Sequence, residues 1–439
     1  MAYVGFPKKL LDKAELEPGD TIEIHTPDGI TKGILMPRHG FSRDDVLVLK
    51  LDSGYNAGIN ITEGVEVKLI EKGGKQIAHK TELKHSPGKP NVSIVSTGGT
   101  IASYVEYRTG AVHPAVDAEG LAASVPELAE LCNVRARVLY SIVSEDMKPE
   151  HWQGTAKAVA EELNNGARGV IVPHGTDTMG FTSAALSFML GKLSGPVILV
   201  GAQRSSDRPS SDAYMNLLCA ARLAAKSDLG EVVVLMHSGT SDQSCTLHRG
   251  TRVRKMHTSR RDAFSSVNHP ILGRVQNEKI AFEQPYRKAV SGEKIEPALN
   301  LERDVSLIYF HPGMSEEILQ KAFDVSKGVV IAGTGLGHVS SNLVPVIRDR
   351  IKEGKHCVMT SQCLNGRVNM WVYDNGRDLM KAGVLSGEDM LPETAMVKLM
   401  WVLGQTDKPE EVKKLMAANL AGEISEVRML EEKTDEAGQ

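Results

Sequence analysis

Ser96-Thr97-Gly98-Gly99-Thr100-Ile101-Ala102-Ser103 follows the apolar alternation Val92-Ser93-Ile94-Val95, the pattern of a buried strand. A strand that runs into Thr-Gly-Gly-Thr delivers a hydroxyl to the end of a sheet. The paired glycines leave bare backbone against which a substrate can lie. Two readings compete here. The stretch serves as a strand-to-helix turn whose glycines take positive φ, or it makes Thr100 a nucleophile. The second reading needs an activating base elsewhere in the chain.

Outward from this point, strand and helix patterns alternate over residues 91–295, which implies an α/β domain with a mostly parallel sheet and helices on both faces. Pro149 to Asn165 carries Trp152, Ala156, Val159 and Leu163 at helical spacing, so Trp152 reads as core. The strand Gly169-Val170-Ile171-Val172 runs into Pro173-His174-Gly175-Thr176-Asp177-Thr178-Met179, a second strand end with a glycine and hydroxyls. Pro196 to Val200 runs into Gly201-Ala202-Gln203-Arg204, and Glu231 to Met236 is a further strand. Open α/β sheets carry their sites at such carboxyl ends. The base has a candidate in the cationic stretch Gly250-Thr251-Arg252-Val253-Arg254-Lys255-Met256-His257. A lysine buried beside Asp177 loses proton affinity to desolvation and regains it from the carboxylate. Poised between the two, it takes a proton from a threonine hydroxyl. The spacing leaves that role open against a solvated, ion-paired face.

The flanks read differently. Residues 1–75 hold short alternating strands (Thr21 to His25, Ile30 to Met36, Val46 to Leu51, Val65 to Ile70) broken by Gly54, Asn56, Gly58 and Gly64, the pattern of a small β-barrel. Basic and aromatic platforms for RNA are scarce there, which favours protein docking. Residues 76–90 form a linker. Residues 296–410 alternate strands and helices again and make a smaller α/β domain, and 411–439 a helix and tail. Gly333-Thr334-Gly335-Leu336-Gly337 lacks a full dinucleotide fingerprint and reads as a tight turn.

Composition bounds the class. The chain has 439 residues, 41% hydrophobic and 24% charged, with a net charge of −4, a soluble globular balance with no global basic field for nucleic acid or acidic membranes. No apolar run reaches the ~18 residues of a membrane span. Five cysteines without metal-like spacing read as reduced thiols in a cytoplasmic protein. No metal cluster is visible, so no metal site is expected.

Thr97-Gly98-Gly99-Thr100-Ile101-Ala102 together with His174-Gly175-Thr176-Asp177-Thr178-Met179 resembles the paired signature of the L-asparaginase and glutaminase family. Ser144-Glu145-Asp146-Met147, Gly201-Ala202-Gln203-Arg204 and Ser211-Asp212-Ala213-Tyr214-Met215-Asn216-Leu217 are similar to that family in type and order, over residues 91–410. The resemblance implies a two-domain asparaginase-like core and amide hydrolysis through an acyl-enzyme. It makes Thr100 the nucleophile, with Thr176, Asp177 and Lys255 a second polar triad in which Lys255 accepts the proton. It implies that Tyr107 on a loop helps to activate Thr100, with Tyr104 the alternative. Ser144 and Glu145 would hold the substrate's α-carboxylate and amine along with Asp177, against the backbone of Gly99 and Gly175. By residue pattern alone, Ser144 reads as a helix cap before Pro149. Around Tyr309-Phe310-His311-Pro312-Gly313 the family's substrate-binding asparagine has no counterpart, so glutamine and asparagine both stay open as substrates.

The N-terminal β-domain, the stretch Ser205-Ser206-Asp207-Arg208-Pro209-Ser210-Ser211-Asp212 and the ending Asn419-Leu420-Ala421-Gly422-Glu423-Ile424 resemble the family of glutaminase components, the D subunits, of archaeal glutamyl-tRNA(Gln) amidotransferases. That resemblance implies a glutaminase that passes ammonia to a partner, the amidotransferase E subunit, which converts Glu-tRNA(Gln) to Gln-tRNA(Gln). It implies no cofactor in this chain, ATP and Mg at the partner, tRNA contact mainly through the partner, and a homodimer within a two-plus-two complex. A free-standing cytoplasmic L-asparaginase and a non-catalytic docking subunit are the rival expectations.

Overall fold

The computed structural model describes residues 3–38, 43–51, 56–73, 86–98, 103–105, 112–114, 125, 127–204, 211–239 and 241–426. The chain opens with helix α1 (Gly5–Lys13), which the sequence reading missed; it buries only Pro7 and Leu11. Strands β1 (Thr21–Thr26), β2 (Gly29–Leu35), β3 (Val46–Lys50), β4 (Asn56–Asn60) and β5 (Glu66–Glu71) form an antiparallel sheet in the order β4-β3-β2-β1-β5. Ile22, Ile24, Leu35, Leu47 and Leu49 fill its core. Two sequence expectations change here. β4 occupies Asn56 to Asn60, where the glycine-rich composition had been read as turns, because its backbone pairs along the whole of β3. The sheet closes no barrel among the described residues: β4 and β5 remain its two edges.

The large domain is built on β6 (Asn91–Ser96), followed by the short hairpin β7 (Ser103–Val105) and β8 (Val112–Pro114). Then come α2 (Leu128–Leu131), β9 (Asn133–Val138), α3 (Pro149–Asn164), β10 (Gly169–Pro173), α4 (Met179–Leu190), β11 (Val197–Val200), α5 (Ala213–Lys226) and β12 (Val232–His237). Short strands β13 (Ser244–Arg249), β14 (Val253–Lys255), β15 (Phe264–Ser266), β16 (Gly273–Gln276) and β17 (Lys279–Phe282) complete it. The main sheet runs β17-β16-β13-β12-β11-β10-β6-β9. Its five strands from β12 to β9 are parallel, and β13, β16 and β17 add an antiparallel wing, so the sheet is mixed. The parallel strands β10, β11 and β12 are apolar without alternation because both their faces are covered. α5 and α2 cover one face, α3 and α4 the other.

The small domain holds β18 (Val305–Tyr309), α6 (Glu316–Val325), β19 (Gly328–Gly333), α7 (Leu343–Lys352), β20 (His356–Ser361), α8 (Asp374–Lys381), β21 (Leu385–Ser386), α9 (Pro392–Gln405) and α10 (Pro409–Ala417). Its four strands pair in parallel in sequence order. α9 packs on α4, and Ala395, Val397, Leu399 and Val402 join Ala184, Ala185, Leu186 and Met189 in a single core. α4 is buried almost all round, which is why its sequence is apolar on every side.

Candidate active site

After β6 the chain crosses to β9 on one side, and β10 then lies on the other side of β6. The crevice between the carboxyl ends of β6 and β10 is therefore the point where the strand order switches, the place where open α/β sheets bind ligands. The two ends are tied together: Thr97 donates through both its N–H (3.0 Å) and its Oγ1 (2.9 Å) to the Pro173 carbonyl. Gly98 sits at φ +123°, and a Cβ there would come within 2.2 Å of the Ile142 carbonyl oxygen, so only glycine fits. Gly99, Thr100 and Tyr107 lie outside the described residues. Of the alternative tyrosine, the backbone of Tyr104 is placed in β7, opposite His113.

β10 ends in His174-Gly175-Thr176-Asp177, immediately before α4. Lys255, the last residue of β14, places its Nζ 2.8 Å from Thr176 Oγ1 and 2.8 Å from Asp177 Oδ1. The structure thus brings Lys255 to two neighbouring residues that lie 79 and 78 positions earlier in the chain. Thr176 is buried, the Asp177 side chain is 68% exposed and that of Lys255 only 13%. Because Lys255 Nζ donates to Thr176 Oγ1, the threonine's own proton is left to point toward a reactant. α4 abuts β14, with a Cβ on Gly180 falling 3.1 Å from the Val253 carbonyl oxygen.

Ser144 does not cap the following helix; Lys148 takes the N-cap position. Ser144 opens a 3-10 turn, Ser144–Asp146, packed against Gly175, where a Cβ would lie 2.7 Å from Ser144 Cβ. The Thr178 hydroxyl donates to the Ser144 carbonyl at 2.7 Å, and Ser144 Oγ donates to Glu145 Oε2 at 3.4 Å. Ser144, Glu145, Gly175 and Asp177 thus share one rim. Thr178 is a site residue that the sequence reading had quoted without a role.

Three supports escaped the sequence reading. Behind β10, Trp152 Nε1 donates to Thr182 Oγ1 (3.0 Å), which bonds His174 Nε2 (2.8 Å), while His174 Nδ1 bonds the Gly175 carbonyl (2.6 Å). That carbonyl only accepts, so Nδ1 carries the hydrogen and Nε2 receives the Thr182 proton. Burial pushes the His174 imidazole down to about 4 and keeps it neutral. Gly201, at the end of β11, lies against the site: a Cβ would fall 2.9 Å from Thr176 Cγ2. The strand carrying Lys255 is gripped by the small domain and the segment after it. Thr251 Oγ1 donates to the Ala421 carbonyl (3.0 Å), and Thr394 Oγ1 donates to the Thr251 carbonyl (3.1 Å). Arg252, fully buried, donates to Asp389 (3.0 Å), the Gly422 carbonyl (2.8 Å) and Ser425 Oγ (2.8 Å). Arg254 pairs with Glu393 at 3.3 Å. The segment is itself anchored by Glu423, which pairs with Lys398 at 2.6 Å, both side chains 0% exposed. Glu423 also accepts the Leu420 and Ala421 N–H groups. Buried charges are tolerated only when so satisfied.

The chain is similar to known proteins along nearly its full length. Residues 91–288 match the family described as Asparaginase, N-terminal, and 304–416 the Glutaminase/Asparaginase C-terminal domain. Residues 16–70 match the GatD N-terminal domain. The glutamyl-tRNA(Gln) amidotransferase D subunit of Pyrococcus furiosus is 52% identical over 427 residues, 95% of this chain and 97% of that protein. The chain belongs to the family of glutamyl-tRNA(Gln) amidotransferase D subunits. A second member, from Methanothermobacter thermautotrophicus, is 49% identical over 430 residues, covering 97% of this chain and 98% of its own. Among solved structures, the thermostable L-asparaginase from Thermococcus kodakarensis superposes with a TM-score of 0.68 at 32% identity. It is covered over 99% of its length but matches 76% of this chain. L-asparaginase I from Vibrio cholerae behaves alike, with a TM-score of 0.68, 33% identity, and 99% and 77% coverage. The D-subunit family therefore spans the whole molecule, whereas these asparaginases span its core.

Proposed function

We propose that this chain is the glutaminase subunit of a tRNA-dependent amidotransferase, releasing ammonia from glutamine for conversion of Glu-tRNA(Gln) to Gln-tRNA(Gln). What supports the reading is near-full-length likeness to amidotransferase D subunits, including the N-terminal domain beyond the asparaginase-like core. In the proposed reaction Thr100 Oγ attacks the side-chain amide carbon of glutamine, ammonia leaves, and water resolves the acyl-enzyme. Lys255, as the amine, takes the Thr100 proton through Thr176 and returns it to the departing amide nitrogen, while Asp177 orients the lysine and, with Ser144 and Glu145, meets the substrate's α-amino and α-carboxylate groups. Tyr107 or Tyr104 assists Thr100. Gly99 and Gly175 give the substrate bare backbone to lie against.

The amide-accepting step on tRNA belongs, in this reading, to the amidotransferase E subunit with ATP and Mg, in the cytoplasm, as a two-plus-two assembly. The net charge of −4 suits a chain that leaves most tRNA contacts to its partner. Among the described residues no helix is long and apolar enough to cross a membrane. The test is ammonia release from glutamine and from asparagine, with and without the E subunit and Glu-tRNA(Gln). Glutamine hydrolysis that rises when both are added supports the reading. Efficient asparagine hydrolysis indifferent to both would make the chain a free-standing asparaginase, and no hydrolysis of either under any condition would make it a docking subunit.

A further inference from the structure

Behind the wall formed by Gly201 to Arg204 runs a line of polar side chains, buried from Asp212 to His237 and part-exposed at Asp242, that the chemistry above does not use. Asp212, 0% exposed at the start of α5, accepts the backbone N–H groups of Gln203 (3.0 Å) and Arg204 (2.9 Å). One turn on, Asn216 donates through Nδ2 to Asp212 Oδ2 (3.0 Å) and to the Gly201 carbonyl (2.9 Å). Both partners only accept, so the amide orientation is fixed and its Oδ1 faces His237. His237, at the end of β12 and 1% exposed, meets Asn216 Oδ1 with Nδ1 at 2.6 Å and Asp242 Oδ1 with Nε2 at 2.9 Å. Asp242 Oδ1 also receives Arg261 Nη1 at 2.7 Å. Cys245 donates its Sγ–H to the same Asn216 oxygen at 3.4 Å.

The two ends of this line adjoin the two segments that carry Thr176 and Lys255. Gly201 touches Thr176, and Arg261 lies in the loop that joins β14, carrying Lys255, to β15. A buried polar chain is directional where an apolar filling is not, and apolar filling is often no less stable. The His237 ring thus lies between two oxygens, Asn216 Oδ1 and Asp242 Oδ1.

We propose that Asp212, Asn216, His237, Asp242 and Arg261 form a brace that sets the separation of Thr176 and Lys255, with His237 the positioning residue at its joint. The inference rests on the reading of Thr176 and Lys255 as the proton-transfer pair. Shifts of about 1 Å at such a pair cost up to ~100-fold in turnover.

The test measures glutamine hydrolysis by the full chain assembled with its partner, in His237→Asn, Asp242→Ala, the double variant and Asp242→Asn. His237→Asn keeps the reach toward Asn216 and loses Asp242; Asp242→Ala cuts the same link from the other side. Each lowers kcat about tenfold or more, with KM for glutamine within about twofold, because Ser144 and Glu145 stand on a separate turn. The double variant is no slower than the worse single one, since one connection is cut twice. Asp242→Asn, which still accepts from Nε2, restores most of kcat. A folded His237→Asn or Asp242→Ala protein with kcat within about twofold of wild type overturns the brace, as do fully additive losses. Should His237→Asn not fold, Asp242→Ala decides, because its side chain is 34% exposed. Lys255→Met is assayed in parallel. If it retains activity, the proton-transfer reading fails and the brace with it; if it is inactive while the brace variants are silent, only the brace fails.

Discussion

Replacing Lys255 by Met removes the Nζ that stands 2.8 Å from both Thr176 Oγ1 and Asp177 Oδ1 while keeping nearly the same apolar stem. The cost to the fold is small. Asp177, 68% exposed, is rehydrated, and the loss of the remaining bond is worth about 1 kcal/mol. Across a chain of 439 residues that lowers Tm by roughly 1 °C. The cost to the reaction is larger, because a positioned general acid–base group contributes about 100- to 10,000-fold. At 1.36 kcal/mol per decade this is about 3–5 kcal/mol of transition-state stabilisation. The expected result is a fall in kcat for ammonia release from glutamine over that range, with a near-native melting curve. Turnover within about threefold of wild type in the folded variant would remove Lys255 from the mechanism and leave its two contacts as an ion pair only.

Other expectations bear on the rest of the site and its supports. Thr100→Val keeps shape and loses the attacking hydroxyl, so ammonia release falls to background with Tm unchanged; ordinary turnover would unseat Thr100 as nucleophile. Gly98→Ala, at φ +123° with the Ile142 carbonyl in the way, costs about 1–3 kcal/mol from the backbone alone and disturbs activity more than its Tm shift accounts for. Lys398→Met strands the buried Glu423 carboxylate and costs about 3–5 kcal/mol in urea unfolding, much of which Glu423→Gln in the same chain recovers; equal stability of the single and double variants would contradict a buried charge pair. His174 is held down to about 4 against an ordinary 6.5, so the unfolded chain binds its proton first as the pH drops. Its share of stability is complete above pH 6.5 and lost progressively down to about pH 4, roughly 3 kcal/mol in all. His174→Gln should flatten that acid slope, and an unchanged slope would reject a neutral buried ring.

What the sequence made legible follows from how local the signals are. The Thr-Gly-Gly-Thr turn stands beside an apolar alternation and the His-Gly-Thr-Asp turn beside an apolar run, so their strands, and hence their place at a sheet's carboxyl edge, follow from neighbours in the chain. Lys255 was offered by the sequence as a candidate base in a cationic stretch, but its role stayed open until the resemblance, because its partners lie 78 and 79 positions away and no spacing encodes that approach. β4 was hidden because Ala57, Gly58 and Asn60 have weak strand preference and owe their conformation to β3. Asp212 and Asn216 stood within quoted motifs, with acceptor and amide one helical turn apart, yet the loop they hold is found only by folding. Ser144 was misjudged as a cap because proximity to Pro149 is a local cue, whereas the contact with Gly175 is a tertiary one.

The grip on the Lys255 strand also has a consequence in time. Residues 420–425 follow both domains in the chain, so a ribosome translates the whole of the sheet, and all of the reactive side chains, before the segment that clasps Thr251 and Arg252 exists. A nascent chain halted before that segment would hold the chemical groups of a glutaminase without the clasp that sets one of them. Glutamine would then be spared until synthesis had passed residue 425, and ammonia release would begin only in a molecule already long enough to dock.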